Sequence, residues 1–163
     1  MLVLWFAACI TCALLIIDWK YGNEEEEGAW AASGLKVELM EDPYGIDTKN
    51  PAFSWYMNRE ERGSYQKKYH IVVADTLKNM EKGKYLLDTG WCESSENSYV
   101  KIHALQNILK DNSLYYWKVR MMDTQERISE WSEIACFSTG VGKEWSSTET
   151  IWNAEKSDYV FLR

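Results

Sequence analysis

The stretch that decides the fold is Leu114-Tyr-Tyr-Trp-Lys-Val-Arg-Met-Met122. Taken alternately, Tyr115, Trp117, Val119 and Met121 point one way, and Tyr116, Lys118, Arg120 and Met122 the other. A period of two belongs to an extended strand, whose successive side chains leave opposite faces of a sheet. The same period recurs upstream. Leu35-Lys-Val-Glu-Leu39 alternates apolar and charged residues. Ala52-Phe-Ser-Trp-Tyr-Met57 aligns Phe53, Trp55 and Met57, and Tyr69-His-Ile-Val-Val73 aligns Tyr69, Ile71 and Val73. Shorter runs lie at 85–87 and 99–102, and residues 134–138 close the set. Turn formers separate these runs: Asp42-Pro43, Gly45, Asn50-Pro51, Arg62-Gly63, Gly83, Asp88-Thr-Gly90, Asp111-Asn112 and the segment 123–127. Residues 76–82 and 103–109 each have room for one helical turn. About seven short strands in about 100 residues predict an all-β sandwich.

A second spacing supports that reading. Leu109, Asp111, Ser113 and Tyr115 fall at every second position up to the aromatic strand. In sandwiches a Tyr at this place returns its hydroxyl to backbone a few residues upstream, the tyrosine corner.

The 163 residues fit one domain of roughly 100–150 residues and are too few for a barrel enzyme of about 250. Aromatic residues make up 14%, including nine Trp, enough large rings to fill a compact interior. The net charge is −7, from 18 bases and 25 acids, which argues against nucleic acid as a partner. Much of that charge sits in Asp18 and Glu24 to Glu27, read as a solvated spacer. Ahead of it, residues 1–17 are apolar without a break, the pattern of an export signal and short for a membrane span of about 20 residues. No Lys or Arg precedes the run and no small-x-small site follows closely. An uncleaved anchor and a lipid-modified Cys9 or Cys12 therefore remain alternatives. Each version places the body outside the cytoplasm: secreted, periplasmic or anchored in the cell envelope.

The expected organisation is residues 1–34 as signal or anchor plus acidic linker, 35–141 as the sandwich, and 142–163 as the start of a following β-domain. Cys92 and Cys136 remain in the body. The usual strand order puts them on opposite edges of one sheet, three spacings of about 4.8 Å apart, whereas a disulfide needs Cα atoms within about 7 Å. Two free thiols are expected.

The body offers few residues for chemistry. Asp42, Asp47, Asp88 and Asp123 sit beside Gly or turn formers, where Asx-type bonding accounts for them as solvated turn residues. His70 alternates with the inward positions of its strand and is expected to face solvent. His103 follows a short strand. No Cys or third His lies at ligand spacing, so neither a metal nor a cofactor is expected. In Ser129-Glu-Trp-Ser132, Trp131 is expected beside the outward cations Lys118 and Arg120, as surface stiffening rather than a ligand face. Tyr44, Tyr56, Trp91 and Tyr116 are candidate exposed rings, either for sugars or for neighbouring domains. The second reading is preferred.

The spacing that ends at Tyr115, followed by Trp117 and Val119, resembles fibronectin type III domains. A longer ordered set is similar to the N-terminal fibronectin type III-like sandwich of bacterial α-L-rhamnosidases, which implies an immunoglobulin-like/fibronectin type III fold. It comprises Glu41-Asp-Pro-Tyr-Gly-Ile-Asp47, Pro51-Ala-Phe-Ser-Trp55, Arg62-Gly63 with Gln66, Tyr69-His-Ile-Val-Val-Ala74 and Asp88-Thr-Gly90. It continues with Tyr115-Tyr-Trp-Lys-Val-Arg120, Asp123, Ser129-Glu-Trp-Ser132, Phe137 and Thr139-Gly140. In that family the module is non-catalytic, and hydrolysis belongs to a helical barrel far downstream that carries the two carboxylates a glycosidase needs. The resemblance therefore implies an accessory piece of an exported glycosidase, with no catalytic residue here. Its partners would be downstream domains of the same enzyme and rhamnose-containing glycans. Trp145, Ile151-Trp152 and Tyr159-Val-Phe-Leu-Arg163 look like the opening of the family's next β-domain. The rival reading is a surface adhesion or receptor-type sandwich.

Overall fold

A computed structural model of the chain describes residues 30–58 and 63–142. The expected export segment and linker up to residue 29, Arg62, and residues 143–163 lie outside the described residues.

In chain order the elements are β1 (Ala32–Val37), β2 (Ala52–Met57), β3 (Gln66–Ala74), α1 (Leu77–Glu81), β4 (Leu87–Asp88), β5 (Cys92–Glu93), β6 (Val100–Lys101), a 3-10 turn (His103–Asn107), β7 (Leu114–Asp123) and β8 (Ala135–Ser138). They form two antiparallel sheets. The smaller has the order β1-β2-β6. In the larger, β3 pairs with β7 on one side and with β4 and β5 on the other, and β8 pairs with β7. The two layers face each other as an immunoglobulin-like sandwich.

Alternation explains the interior. Tyr69 pairs with Met121, Ile71 with Val119 and Val73 with Trp117 across β3 and β7, so all six share the inner face. Val37, Phe53 and Trp55 meet them from the smaller sheet, each essentially inaccessible to water. Phe53 sets its ring edge-to-face against Trp117 at 4.8 Å and against Phe137 at 5.9 Å, and Trp55 does the same against Tyr69 at 5.4 Å. Such pairs add about 0.5–1.5 kcal/mol each beyond the area they bury. Gln66 is the buried polar tie between layers. It accepts from Trp55 Nε1 at 2.8 Å and donates to the carbonyls of Ser94 and Glu96. The tyrosine corner is present: Tyr115 Oη accepts from Lys110 N–H at 2.8 Å.

The boundary expected at Leu35 falls inside β1, which begins at Ala32. A bulge between Ser33 and Lys36, with Gly34 at φ 58°, breaks the alternation there and hides the start of the strand. Leu39 does not continue the strand either. Glu38 and Leu39 turn with positive φ, and Leu39 stands in solvent.

The registers also place the two ends of the domain. Ala32 pairs with Met57, at the pole where Gln66 meets Asp123. Thr139 binds Ser113 and Gly140 binds Ile46 and Asn112 at the opposite pole. The chain thus comes in at one pole and leaves at the other.

Candidate functional site

The most organised chemistry lies on the outer face of the larger sheet. There His70 pairs with Arg120, Val72 with Lys118 and Ala74 with Tyr116. Remote segments cover this face. Thr76 caps α1 by accepting from Asn79 N–H at 3.2 Å, and α1 lays Met80 on Val72 and Ala74, with Tyr85, Tyr116 and Trp131 packed around them. Beside this cluster runs a ladder of rings and cations. Arg120 lies between Trp91 and Trp131, its Cζ 5.0 and 4.6 Å from the ring centroids. Lys118 Nζ lies between Trp131 at 4.8 Å and Tyr85 at 5.9 Å. Each contact is worth about 0.5–1 kcal/mol where water reaches it.

His70 is the centre of that face and not a solvent residue as expected; it is only 8% exposed. Its ring lies under Trp131 and Trp91, at 5.1 and 5.6 Å between centroids. Alternation correctly turns it away from the interior, but the covering rings come from distant parts of the chain. Arg120 donates from Nε and Nη2 to His70 Nδ1 at 3.2 and 3.1 Å. A guanidinium only donates, so Nδ1 must be the acceptor and the ring proton sits on Nε2. Nε2–H donates to Asp88 Oδ1, nitrogen and oxygen lying 2.5 Å apart. Asp88 Oδ1 also accepts from Gly90 N–H at 2.8 Å. Burial pushes the Asp88 carboxyl up, but the hydrogen bonds from Gly90 and His70 and the nearby charge of Arg120 prevail and hold it below the usual carboxylate range. The Asp88-Thr-Gly90 turn thereby swings Trp91 over the sheet. Thr89 Oγ1 secures the turn by accepting from Ile71 N–H at 3.0 Å.

The Ser129-x-x-Ser132 spacing has a backbone explanation. The Val119 and Met121 N–H groups on the free side of β7 donate to the hydroxyls of Ser132 and Ser129 at 3.1 and 2.9 Å. The N–H groups of the same two serines donate back to the Val119 and Met121 carbonyls, both at 2.9 Å. Two hydroxyls thus replace two strand carbonyls, and Trp131 between them is delivered onto Lys118 and Arg120.

Of the four candidate rings, Tyr44 and Tyr56 stand largely in solvent. Trp91 and Tyr116 do not; they are half-buried in the ladder and the Met80 cluster. One face of Tyr56 lies on Gly34, where a Cβ would come within 2.4 Å of the ring. Trp55 and Trp117 are interior rings, and Tyr115 is the corner.

The carboxylates also differ from expectation. Asp123 is fully buried instead of solvated. It accepts from Gln125 N–H and Arg127 N–H at 2.8 and 3.0 Å, from Arg127 Nε at 2.8 Å and from Ser64 Oγ at 3.3 Å. Burial raises its carboxyl, and the Arg127 and Gln125 bonds outweigh that and lower it. Asp42 is exposed, yet its carboxylate accepts from Cys136 N–H at 2.8 Å and so occupies the outer edge of β8. Cys92 and Cys136 are free thiols on β5 and β8, at opposite edges of the larger sheet. Burial and Asp42 push the Cys136 thiol up, away from the reactive thiolate. Among the described residues no three His, Cys, Asp or Glu side chains gather around a possible metal position.

The strand order, aromatic interior and tyrosine corner define an immunoglobulin-like β-sandwich domain. Residues 32–143 match the family model described as Rha78A-like, N-terminal immunoglobulin domain, and the chain belongs to that family. Over 157 residues it is 33% identical to an α-L-rhamnosidase of Formosa agariphila, a match that takes in 91% of this chain and 16% of that protein. Among solved structures, the α-L-rhamnosidase of Dictyoglumus thermophilum superposes with a TM-score of 0.63 and 31% identity, over 72% of this chain and 13% of that one. The Streptomyces avermitilis α-L-rhamnosidase complexed with L-rhamnose gives a TM-score of 0.62 and 28% identity, over 69% of this chain and 11% of that one. The chain therefore spans about a sixth or less of the length of these relatives.

Proposed function

We propose that this chain is the non-catalytic N-terminal accessory module of an exported α-L-rhamnosidase-like glycoside hydrolase, and that it braces neighbouring domains. The observation that carries the reading is the extent of the Formosa agariphila match: 157 residues, well beyond the sandwich itself, inside a protein about six times longer. The outer-face chemistry supports it. The cations are occupied by rings, and His70 is locked between Asp88 and Arg120. These contacts hold a surface rigid and tie His70, Asp88 and Arg120 to one another. Export rests on the apolar run of residues 1–17.

A domain exchange tests the reading. Residues 32–142 replace the N-terminal immunoglobulin domain of the Formosa agariphila enzyme, beside a variant with that domain deleted. The exchanged enzyme should keep its activity on an aryl α-L-rhamnoside and its melting temperature within a few degrees, while the deletion should lose both. An unchanged deletion variant would sink the bracing role. The chain alone should release no aglycone.

A further inference from the structure

At the pole where the chain leaves the sandwich, the backbone is strained. Glu38 and Leu39 adopt φ of 50° and 65°. Val37 and Met40 exchange both backbone hydrogen bonds across them, at 2.9 and 3.0 Å. This is a two-residue turn with both central residues left-handed, the shape that Asn-Gly fills without steric cost and Glu-Leu does not. Ala52 holds it: Glu38 N–H donates to the Ala52 carbonyl at 2.9 Å, and the Glu38 carboxylate accepts from Ala52 N–H at 2.8 Å. Asp42, at φ 41°, continues the irregular path and is tied to β8 through Cys136.

The outcome of this strain is exposure. Leu39 is 62% exposed, Met40 52% and Tyr44 82%. Strained backbone that presents large apolar side chains is a mark of a functional contact. The location names the occupant. Gly140, near the last described residue, donates to the Ile46 carbonyl at 2.9 Å, and Ser138 N–H donates to Pro43 at 2.9 Å. The departing chain is thus bonded to Pro43 and Ile46 on either side of Tyr44, a few residues past Leu39 and Met40, and the sequence that follows carries Trp145, Ile151, Trp152, Tyr159 and Phe161.

We propose that the Leu39–Met40–Tyr44 tip is the docking surface for residues 143–163 of this same chain. The inference rests on the bracing role and deepens it by naming the surface and its first occupant.

Tryptic cleavage of the full chain after Lys143 and Lys156, followed by mass spectrometry, tests it. The Leu39→Ser/Met40→Ser/Tyr44→Ser variant should be cut at least tenfold faster than the parent. A Tyr65→Ser/Ile128→Ser variant, altered at the opposite pole, should be cut at the parental rate. Leu39→Gly guards against simple unfolding, because glycine accepts the left-handed backbone while deleting the apolar side chain. It should speed cleavage about threefold without lowering the melting temperature. Equal rates in all variants would overturn the proposal. So would protection that rises with protein concentration, which would assign the tip to a second copy. The assay contains no glycosidase, so its failure leaves the domain-exchange result standing.

Discussion

The two faces of the larger sheet are both covered, by different chemistry. On the inner face Ile71, Val73, Trp117, Val119 and Met121 meet the rings of the smaller sheet, and exclusion of water does most of the work. On the outer face His70, Lys118 and Arg120 are covered by Trp91, Trp131 and Tyr85, which adds directional terms: a fork of N–H groups onto an imidazole, a carboxylate behind it, and cations between rings. A strand whose polar residues alternate cleanly is therefore not solvated on its polar side by default. Charged side chains can form a second layer when rings from elsewhere in the chain reach them.

The comparison can be broken face by face. Trp117→Ala opens a cavity against Phe53 and should cost about 4 kcal/mol, read as a lower urea midpoint. Trp131→Ala removes two cation contacts and the lid over His70, and should cost about 2 kcal/mol. A melting temperature equal to the parent's would show that the ladder contributes nothing. Ser132→Ala leaves the buried Val119 N–H without its acceptor and should cost about 1 kcal/mol, whereas Ser132→Thr, which keeps a hydroxyl, should recover part of it.

Acid gives the smallest effect over the working range, and it sharpens the contrast. Asp88 and Asp123 titrate below the ordinary carboxylate value when folded. Their contribution is therefore complete above the unfolded value of about 3.9 and is lost as pH falls through the lower folded values. The melting temperature should stay level from neutrality to about pH 5 and drop below about pH 4. Asp88→Asn should flatten the part of that drop owed to the outer face. A drop of equal size in that variant would mean that the His70 link carries no acid-sensitive stability.

The inner face was legible because a period of two needs only neighbouring residues: Trp117 beside Val119, Ile71 beside Val73. Tyr115 was legible as well, since its corner partner lies only a few residues upstream. The burial of His70 was not, because its covers, Trp91 and Trp131, come from two separate connections. Asp123 reads as a turn residue and is one, since it accepts from Gln125 and Arg127; nothing local reveals that the turn folds inward. The start of β1 was hidden by the Gly34 bulge, and the end of the Leu35 run by a turn in Glu38-Leu39, residues that normally avoid such backbone. The quoted motif Ser129-Glu-Trp-Ser132 carried more than its neighbours, because the hydroxyl spacing matches alternate N–H groups along β7.

The placement of Ala32 and Gly140, where the sandwich begins and ends, at opposite poles has a mechanical consequence. Tension applied through the polypeptide would act lengthwise on β1 at one end and on β8 at the other. The bonds joining β1 to β2 and β8 to β7 run crosswise to that pull, so they would share the load in shear instead of unzipping singly.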